Sequence, residues 1–492
     1  MKTNTLDFDA QALREKILDL AMRGKLVPQD PNDEPASVLL EKIKAEKEQL
    51  IKEKKIKKSK PLAPITDDEK PFDIPDSWEW VRLGDVITIL RGGSPRPIKK
   101  YLTDDPQGIN WIKIGDSKPN SKYIEYAAEK IIPEGLSKTR IVSKGDFLLS
   151  NSMSFGRPYI LKINGAVHDG WLILSDYDHL FNKDYLYYLL SSGFINTQFM
   201  NLATGSTVKN LNRERVANTI AVVPPLSEQS RIAAKIAQLF ALLRKVESST
   251  QQYAKLQTLL KSKVLDLAMR GKLVKQDPHD EPASLLLEKI KAEKEQLVKE
   301  GKIKKSKPLP PITDDEKPFD IPDSWEWVRL GDVLLDTIGG GTPSKNNSKF
   351  WNGEIPWISV KDVHKYEYEI YKTKDFITKL GLENSSTNMI EANTLIVVTR
   401  MAVGRIAINK INACINQDLR ALITSKYFYK KYLLYIYSNL TFETSGITVK
   451  GITISKLLNT IIPLPPLIEQ KKIVQRIMRL FTRLRGNNES ID

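Results

Sequence analysis

The sequence predicts two mixed α/β domains joined by long antiparallel coiled-coil helices in a pseudo-twofold, circular arrangement. Three observations predict this α/β (α+β) class: an internal repeat, a long apolar seam of helical spacing, and two diverging blocks of short apolar runs. The chain has 492 residues and a formal net charge of +15, a length that corresponds to two to four domains. The positive charge indicates non-specific attraction to nucleic acid and no more than that.

The composition excludes several classes of protein. No apolar run approaches the roughly 18 residues of a membrane span, and the polar, acidic first ten residues do not resemble a secretory signal. The single cysteine, Cys414, rules out a disulfide framework and a Cys-based zinc cluster. We therefore expect a cytoplasmic protein without a membrane partner.

The first observation is a repeat with an offset of 247 residues. Residues 16–86 and 263–333 are identical at 64 of 71 positions, after which only scattered matches remain. Similarity returns in the turns VPPLSEQ (223–229) and LPPLIEQ (464–470). Constant and variable segments thus alternate along the chain. A solenoid is excluded, because its repeats are 20–50 residues long and similar throughout.

The second observation is a seam of apolar residues that follows each of these turns, with steps of four and three residues. Gly271 is the predicted helix stop. The two chain ends carry the halves of a second seam, since Ile473 to Leu484 copies the first spacing and Leu13 to Leu20 copies its end. We predict two antiparallel rods; the alternative is that the helices belong to separate cores. The predicted coiled-coil residues are Ile232, Ile236, Leu239, Leu243, Val246, Leu260, Val264, Ile473, Ile477, Leu480 and Leu484.

Each constant segment also contains a basic helix and a Pro-rich acidic connector. The helices are predicted at 34–58 and 281–305, and the connectors carry a charge of −5 each at 61–80 and 308–327. The near-identity of the two basic arms has two explanations: a recent duplication, or two equivalent docking sites for one partner. The Trp pairs 78/80 and 325/327 are interpreted as packing anchors.

The third observation concerns the variable blocks, which carry charges of +5 and +6. Short apolar runs separated by Gly, Asn, Ser and Pro predict strands and turns, and one helix is predicted in each block, at 183–190 and 427–437. The clusters Gly92-Gly93-Ser94-Pro95 and Gly340-Gly341-Thr342-Pro343 occupy matching places and are interpreted as surface turns. The predicted segments are 1–80, the first block 81–227, the central long helix 228–275, the repeated arm and connector 276–327, the second block 328–467 and the C-terminal helix 468–492.

Catalytic motifs are lacking in the sequence. No G-x-x-x-x-G-K-[ST], G-x-S-x-G or H-E-x-x-H occurs, and the four His residues have no metal-ligand spacing. Neither Pro-Pro pair has the flanking residues of an adenine-methyltransferase site. These observations favour binding over catalysis.

Together the repeat, the connector PFDIPDSWEWVRLGDV with its copy, the opening LREKILDLAMRGKLV (13–27) and the PPLxEQ turns resemble the specificity (S) subunit of type I restriction-modification enzymes. The resemblance covers nearly the whole chain. It implies that each variable block is a target recognition domain that reads one half of a split, asymmetric double-stranded DNA site. It also implies that the helices dock two methyltransferase (M) subunits, and that restriction/motor (R) subunits join the full complex.

The resemblance further implies that this chain is not an enzyme. It carries no catalytic residue, metal or cofactor, and S-adenosylmethionine, ATP and Mg are expected on the partner subunits.

Base reading favours Arg, Lys, Asn, Gln, Ser and Thr on loops; the alternative for each such residue is a solvated side chain or a phosphate contact. In the first block the expected DNA contacts are Arg96, Lys99, Asn151, Ser152, Arg157, Lys209, Asn210 and Arg213. In the second they are Lys345, Asn347, Lys361, Thr399, Arg400, Arg405, Gln417 and Lys450.

Two other functions remain open. One is a stand-alone DNA methyltransferase or nuclease, which would modify DNA without a partner. The other is a coiled-coil scaffold without sequence specificity.

Overall fold

The computed structural model describes residues 9–53, 62–118, 121–151, 155–202, 211–444 and 450–486. The chain divides into two compact units, and the boundary between them, at residues 250 and 251, falls inside one long helix. We call residues 7–250 the N-terminal unit and residues 251–492 the C-terminal unit.

The N-terminal unit contains a mixture of short strands and helices. Its helices are α1 (Ala10–Met22), α2 (Ala36–Lys52), α3 (Leu83–Val86), α4 (Lys183–Leu190), α5 (Gly193–Leu202), α6 (Arg213–Asn218) and the first part of α7 (Leu226–Met269). Its strands are β1 (Glu79–Arg82), β2 (Thr88–Arg91), β3 (Leu102–Thr103), β4 (Ile109–Ile112), β5 (Tyr123–Ile124), β6 (Glu129–Ile131), β7 (Arg140–Val142), β8 (Phe147–Ser150), β9 (Pro158–Leu161), β10 (Gly165–Val167), β11 (Trp171–Ser175) and β12 (Ile220–Val223).

These strands form two five-stranded sheets and one short pair. The sheet orders are β2-β11-β8-β9-β5 and β3-β6-β4-β10-β7, and β1 pairs with β12. Strands β8 and β9 are buried at every position because they carry apolar side chains on both faces. Trp171 and Tyr159 meet edge to face in the core between these sheets, with ring centroids 5.7 Å apart.

The C-terminal unit has a similar series of elements, with one strand fewer in its second sheet. Its helices after α7 are α8 (Ala283–Lys299), α9 (Lys379–Glu383), α10 (Lys430–Ile436), α11 (Ile454–Asn459) and α12 (Leu467–Gly486). Its strands are β13 (Glu326–Arg329), β14 (Leu334–Gly339), β15 (Trp351–Ile358), β16 (Glu369–Ile370), β17 (Asp375–Ile377), β18 (Asn388–Ile390), β19 (Leu395–Val398), β20 (Ile406–Asn409), β21 (Ala413–Ile415), β22 (Leu419–Thr424) and β23 (Ile461–Leu464).

The sheet topology of the two units corresponds. The C-terminal unit has the orders β14-β22-β19-β20-β16 and β17-β15-β21-β18, and β13 pairs with β23 as β1 pairs with β12. The predicted fold class of two mixed α/β domains with a long helix is therefore confirmed. The predicted helix at 183–190 is α4, and the predicted stop at Gly271 follows the end of α7, with a left-handed φ of +68°.

A terminal helix accompanies α7 in each unit. In the N-terminal unit Arg14 of α1 donates to Glu247 at 3.1 Å, while Gln29, which follows α1, donates to Glu228 at 2.6 Å. The N-terminal segment therefore runs antiparallel to the first part of α7. In the C-terminal unit Gln257 donates to the carbonyl of Leu484 at 2.8 Å, so α12 lies beside the last part of α7.

The predicted apolar seam is buried at its outer ends and open in its middle. Ile232, Ile236, Ile473 and Ile477 are fully buried, and Leu239, Leu243, Val264, Leu480 and Leu484 are half-buried. Val246 and Leu260 are 44% and 50% exposed. This differs from the continuous seam that the spacing predicts, because within the described residues α1 and α12 are much shorter than α7 and do not cover its middle.

The predicted segment boundaries stay a prediction, and one of them falls within a strand. The boundary at 80/81 lies inside β1, whose four residues pair with β12 from the far end of the first block. The constant and variable segments are thus joined by backbone hydrogen bonds. The described helices of the two predicted basic arms are α2 and α8.

The PPLxEQ turns fix each block to its long helix through a buried glutamine. Gln229 Oε1 accepts from the backbone of Asn182, and its Nε2 donates to the carbonyls of Leu180 and Pro224 at 2.9 and 3.0 Å. Gln470 makes the matching bonds to Tyr429 and Pro465. These turns therefore set the orientation of each block on its helix.

Candidate nucleic-acid interface

One edge of a five-stranded sheet collects polar loops in the N-terminal unit. Strands β2 and β8 end, and β11 begins, at this edge, since Arg91 pairs with Leu172 and Ser150 with Trp171. The loops that leave these three strands therefore lie side by side. We call residues 92–96, 151 and 168–170 the first loop edge.

Asp169 is at the centre of the first loop edge. Its Oδ1 accepts from Ser94 Oγ at 2.8 Å and lies 3.1 Å from His168 Nε2. His168 Nδ1 accepts from the backbone of Gly170 at 2.9 Å, so the proton of the neutral imidazole is on Nε2, facing Asp169. Arg96 approaches Asp169 Oδ2 at 3.8 Å. The carboxylate is thereby oriented while its side chain stays 30% exposed.

The C-terminal unit has a corresponding edge where β14 and β19 end and β22 begins. Gly339 pairs with Arg420, and Val398 with Leu419. We call residues 340–342, 399–401 and 416–418 the second loop edge. Thr342 Oγ1 donates to Gln417 Oε1, and Arg400 lies 3.3 Å from Asp418 Oδ1.

Each loop edge has the same set of backbone hydrogen bonds, and these bonds show which residues of the two edges correspond. Gly93 donates to the carbonyl of Val167, and Gly341 to that of Ile415, at 3.2 and 3.0 Å. Residues 168 and 416, which follow Val167 and Ile415 in the chain, donate to the carbonyls of Ile112 and Ile358 at 3.1 and 3.0 Å. Residue 151 donates to residue 170 and residue 399 to residue 418, at 3.0 and 2.8 Å. Positions 94, 151, 168 and 169 thus correspond to 342, 399, 416 and 417.

The glycine clusters were interpreted from the sequence as surface turns. In the structure, the backbones of two neighbouring loops lie so close together at Gly92 and at Gly340 that no side chain fits between them. A Cβ on Gly92 would lie 2.2 Å from the carbonyl oxygen of His168, and one on Gly340 would lie 2.1 Å from that of Asn416. A side chain at either position would push the neighbouring loop away. The glycines therefore hold two loops of each edge together.

The structure brings several of the expected DNA contacts to the loop edges. The side chains of Arg96, Arg400, Gln417 and Lys450 are exposed there, and the backbone carbonyl of Lys450 accepts from the backbone N–H of Met401 at 2.9 Å. Arg157 is also exposed, and its backbone bonds Ser150 at the end of β8.

Two of the expected contacts are buried at these edges. Asn151 Nδ2 donates to the carbonyl of Asp169 at 2.8 Å, and Thr399 Oγ1 donates to that of Asp418 at 3.0 Å. Their side chains are 3% and 8% exposed. In the structure, both residues therefore position the loops.

Arg405 is the counterpart of Arg157, since its carbonyl accepts from the backbone of Val398 at the end of β19 at 3.0 Å. The other expected contacts lie outside the two defined loop edges or outside the described residues. Lys99 and Lys345 are exposed on loops, Arg213 begins α6, and Asn347 accepts from Lys349 at the start of a short turn. Lys361 lies 4.0 Å from Asp375, and Arg405 donates to the carbonyl of Val363 at 3.0 Å. Ser152, Lys209 and Asn210 lie outside the described residues.

His168, Asp169 and Asp418 lie at the two loop edges and were not among the residues expected from the sequence to contact DNA, and Ser94 was noted only as part of a glycine cluster. The signal that pointed to this region was the matching pair of Gly-Gly-[Ser/Thr]-Pro clusters. A second signal is Thr-Val-Lys, which occurs at 207–209 and at 448–450. The residues two positions further on, Leu211 and Ile452, donate to the carbonyls of Asn151 and Thr399 at 2.9 and 2.8 Å.

Two features are absent from the described part of the chain. Its helices include none of the length and apolar character that a bilayer crossing requires. In those same residues, no three or more His, Cys, Asp or Glu side chains come together as metal ligands.

Comparison with known proteins gives a consistent result. The sequence model of the type I restriction modification DNA specificity domain matches residues 75–257 and 322–491. The chain is 31% identical to the type I restriction enzyme EcoEI specificity subunit of Escherichia coli, over 96% of this chain and 89% of the relative. It is 32% identical, with the same coverages, to the EcoAI specificity subunit of the same organism.

Solved structures share the fold. One solved structure concerns the structural basis of complex assembly and conformational transition of the type I R-M system. A chain of that structure aligns with a TM-score of 0.58 and 22% identity, covering 85% of this chain and 94% of that one. The HsdS subunit from Thermoanaerobacter tengcongensis aligns with a TM-score of 0.50 and 21% identity, covering 86% and 93%.

Proposed function

Because the chain belongs to the type I restriction-modification DNA specificity family, we propose that it reads an asymmetric, bipartite DNA site with one half for each variable domain. As a specificity subunit it is a non-catalytic DNA-recognition component.

The observation that carries the proposal is the pair of aligned loop edges with different polar side chains. The backbone hydrogen bonds correspond, yet the partly exposed Asp169 of the first edge is replaced by the exposed Gln417 of the second, while Ser94 and Thr342 supply the same hydroxyl contact to each. Side chains with different donors and acceptors select different base edges. Two loop edges with equivalent backbone hydrogen bonds and different exposed side chains therefore favour two different half-sites. The exposed Arg96, Arg157, Arg400, Gln417 and Lys450 are the proposed DNA contacts at these edges.

The helix α7 supports a fixed gap between the half-sites. It runs without interruption from Leu226 to Met269, which corresponds to about 65 Å at about 1.5 Å per residue. It starts where the first variable block ends, and its last residues belong to the repeated constant segment that leads to the second block. Because B-DNA turns once in about 10.5 base pairs, a rigid spacer specifies both the separation and the rotation of two half-sites.

The repeated constant segments support docking of two copies of one methyltransferase subunit. Arg82 is buried and binds Glu69 at 2.9 Å, and Arg329 binds Glu316 at 2.9 Å. The same contacts thus recur in each connector. We propose that S-adenosylmethionine is held by these methyltransferase partners, and ATP and Mg by restriction/motor subunits.

The test is to express the chain with its methyltransferase subunit and to map the modified adenines in cellular DNA. We expect one two-part motif with unlike halves and a fixed gap. A contiguous motif would contradict the two-reader proposal. The purified chain alone, incubated with labelled S-adenosylmethionine and DNA, should transfer no label; transfer would favour the stand-alone methyltransferase instead. Equal binding of all sequences by the complex would favour a scaffold.

A further inference from the structure

The two loop edges contain one position at which the backbone hydrogen bonds are equivalent and the hydrogen-bonding character of the side chain differs. Residues 169 and 417 follow equivalent backbone bonds, and the hydroxyl of residue 94 or 342 contacts each of them. Asp169 is an acceptor only, whereas Gln417 offers both a donor and an acceptor. This position therefore differs between the two units in chemistry and not in placement.

The contacts of Asp169 leave part of its carboxylate directed outward. Oδ1 accepts from Ser94 and faces His168, whereas the contact at Oδ2 is the long 3.8 Å pair with Arg96. The Arg96 side chain is 83% exposed, so this pair is loose and both partners can face a ligand together.

A carboxylate on a DNA-facing edge needs a specific partner. It is repelled by phosphates, so the favourable contacts available to it on duplex DNA are base-edge donors such as the cytosine N4 amine. Arg96 beside it supplies the donors that guanine O6 and N7 accept. Arg96 and Asp169 together are complementary to a G·C pair in the major groove.

Gln417 presents the other pattern. Its side chain is exposed on the second loop edge, where Oε1 accepts from Thr342 and Nε2 makes a long 3.4 Å bond to Asp418 Oδ2. An amide so placed has a further lone pair and a second N–H, and it can donate to adenine N7 and accept from adenine N6 in one planar contact. Arg400 is held nearby by the buried Asp418, at 3.3 Å. The second edge thus matches an A·T pair at the position where the first matches G·C.

We propose that Asp169 and Gln417 are the paired specificity-determining residues of the two half-sites: Asp169, with Arg96, selects a G·C pair in one half, and Gln417 selects an A·T pair in the other. The inference rests on the proposed reading of a bipartite site and assigns one base pair in each half to one residue.

The experiment uses the complex of the full chain with its methyltransferase subunit and a panel of duplexes, each varied at one base pair of the mapped motif. Binding is measured by competition against the unaltered site. The isosteric variants Asp169→Asn and Gln417→Glu exchange the hydrogen-bonding characters with little change in volume. The matched control is Asp178→Asn, an equally charged change in the same unit beyond the opposite end of β11.

We expect Asp169→Asn to lower discrimination at one G·C pair of one half-site by roughly 10- to 100-fold, leaving the other half-site unchanged. Gln417→Glu should do the same at an A·T pair of the other half, and the control should change neither. The unaffected half-site reports that each variant complex is folded.

A profile in which Asp169→Asn weakens all duplexes equally, or changes none, overturns the inference. So does an effect in both half-sites. These outcomes are distinct from failure of the proposed function, which would appear as the absence of a two-part motif for the unaltered complex.

Discussion

The indole Nε1 of Trp78 donates a hydrogen bond to Glu228 Oε2 at 2.9 Å, and both side chains are buried. Trp325 and Glu469 repeat this bond at 2.8 Å. Each pair joins the end of a Pro-rich connector to the first turn of a long helix. Burial raises the pKa of both carboxyls, and the bonds from the Trp and from Gln29 or Gln276 oppose that rise. The Trp residues are therefore packing anchors that also satisfy a buried acid.

Removing either partner of the Trp78–Glu228 bond leaves a buried polar group without its partner. We expect Trp78→Phe and Glu228→Leu, which remove the donor and the acceptor, to be strongly non-additive, with a coupling free energy of about 1–3 kcal/mol in a double-mutant cycle. Urea unfolding of the two single variants, the double variant and the unaltered chain measures it. Additive changes would show that the bond contributes nothing beyond packing. Glu214→Gln, an exposed change in the same unit, is the control.

The ion pair of Glu316 with Arg329 predicts an acid-dependent loss of stability. The guanidinium and the Thr313 backbone hold the pKa of Glu316 at about 2, below its ordinary 4.5. A lowered pKa in the folded state stabilises the protein above pH 4.5, and this contribution is lost as the pH falls from 4.5 to about 2. The pKa of Glu469 is raised instead, so its contribution changes above pH 4.5, outside this window.

Glu316→Gln should therefore show a shallower decline of the unfolding midpoint between pH 4.5 and about 2 than the unaltered chain. Denaturant titrations at several pH values measure the slope. The exposed Glu383→Gln serves as control and should keep the original slope. An identical slope for Glu316→Gln would refute the role of this pair.

Arg400 and Lys450 should affect DNA binding in different ways. Arg400 is positioned by the buried Asp418, so Arg400→Ala should relax specificity at one base pair by about 1–3 kcal/mol. Lys450 is exposed on the same edge, and Lys450→Ala should weaken all sequences alike and reduce the salt slope by about one charge. Competition binding of the methyltransferase complex at several salt concentrations separates the two effects. Identical behaviour of the two variants would contradict the assignment of Arg400 as a reader.

Gly92 should tolerate no side chain. In Gly92→Ala the new Cβ would meet the carbonyl oxygen of His168 at 2.2 Å, so the first loop edge must open. We expect loss of recognition of one half-site, measured as loss of methylation at the mapped motif. Gly193→Ala, in the same unit, meets nothing within 4 Å and should methylate normally. Normal methylation by Gly92→Ala would show that the edge adapts without cost to recognition.

The sequence predicted the regular elements well because their periodicity is local. The seam located α7, and the apolar runs at 147–149, 171–174, 220–223 and 394–398, which predict strands, coincide with β8, β11, β12 and β19. Short strands such as β3, β5 and β16 were not predicted, since two residues carry no pattern of their own and pairing across the chain creates them. The candidate site was predicted in part, because Arg96, Arg400 and Gln417 are polar loop residues of the kinds that bind DNA. Asp169 was not predicted, because a negatively charged side chain considered alone is repelled by the phosphates of DNA.

The sequence by itself determined the repeat, the two diverging domains, the long helix and the family resemblance, because each of these depends on order and spacing along the chain. Only the tertiary structure decided which loops share an edge and which side chains are buried. Strand pairing brings residues 94 and 169 to within 2.8 Å across 75 positions of sequence. Burial turns Asn151 inward to a backbone carbonyl. Such contacts depend on packing between distant segments, and no local pattern of residues encodes them.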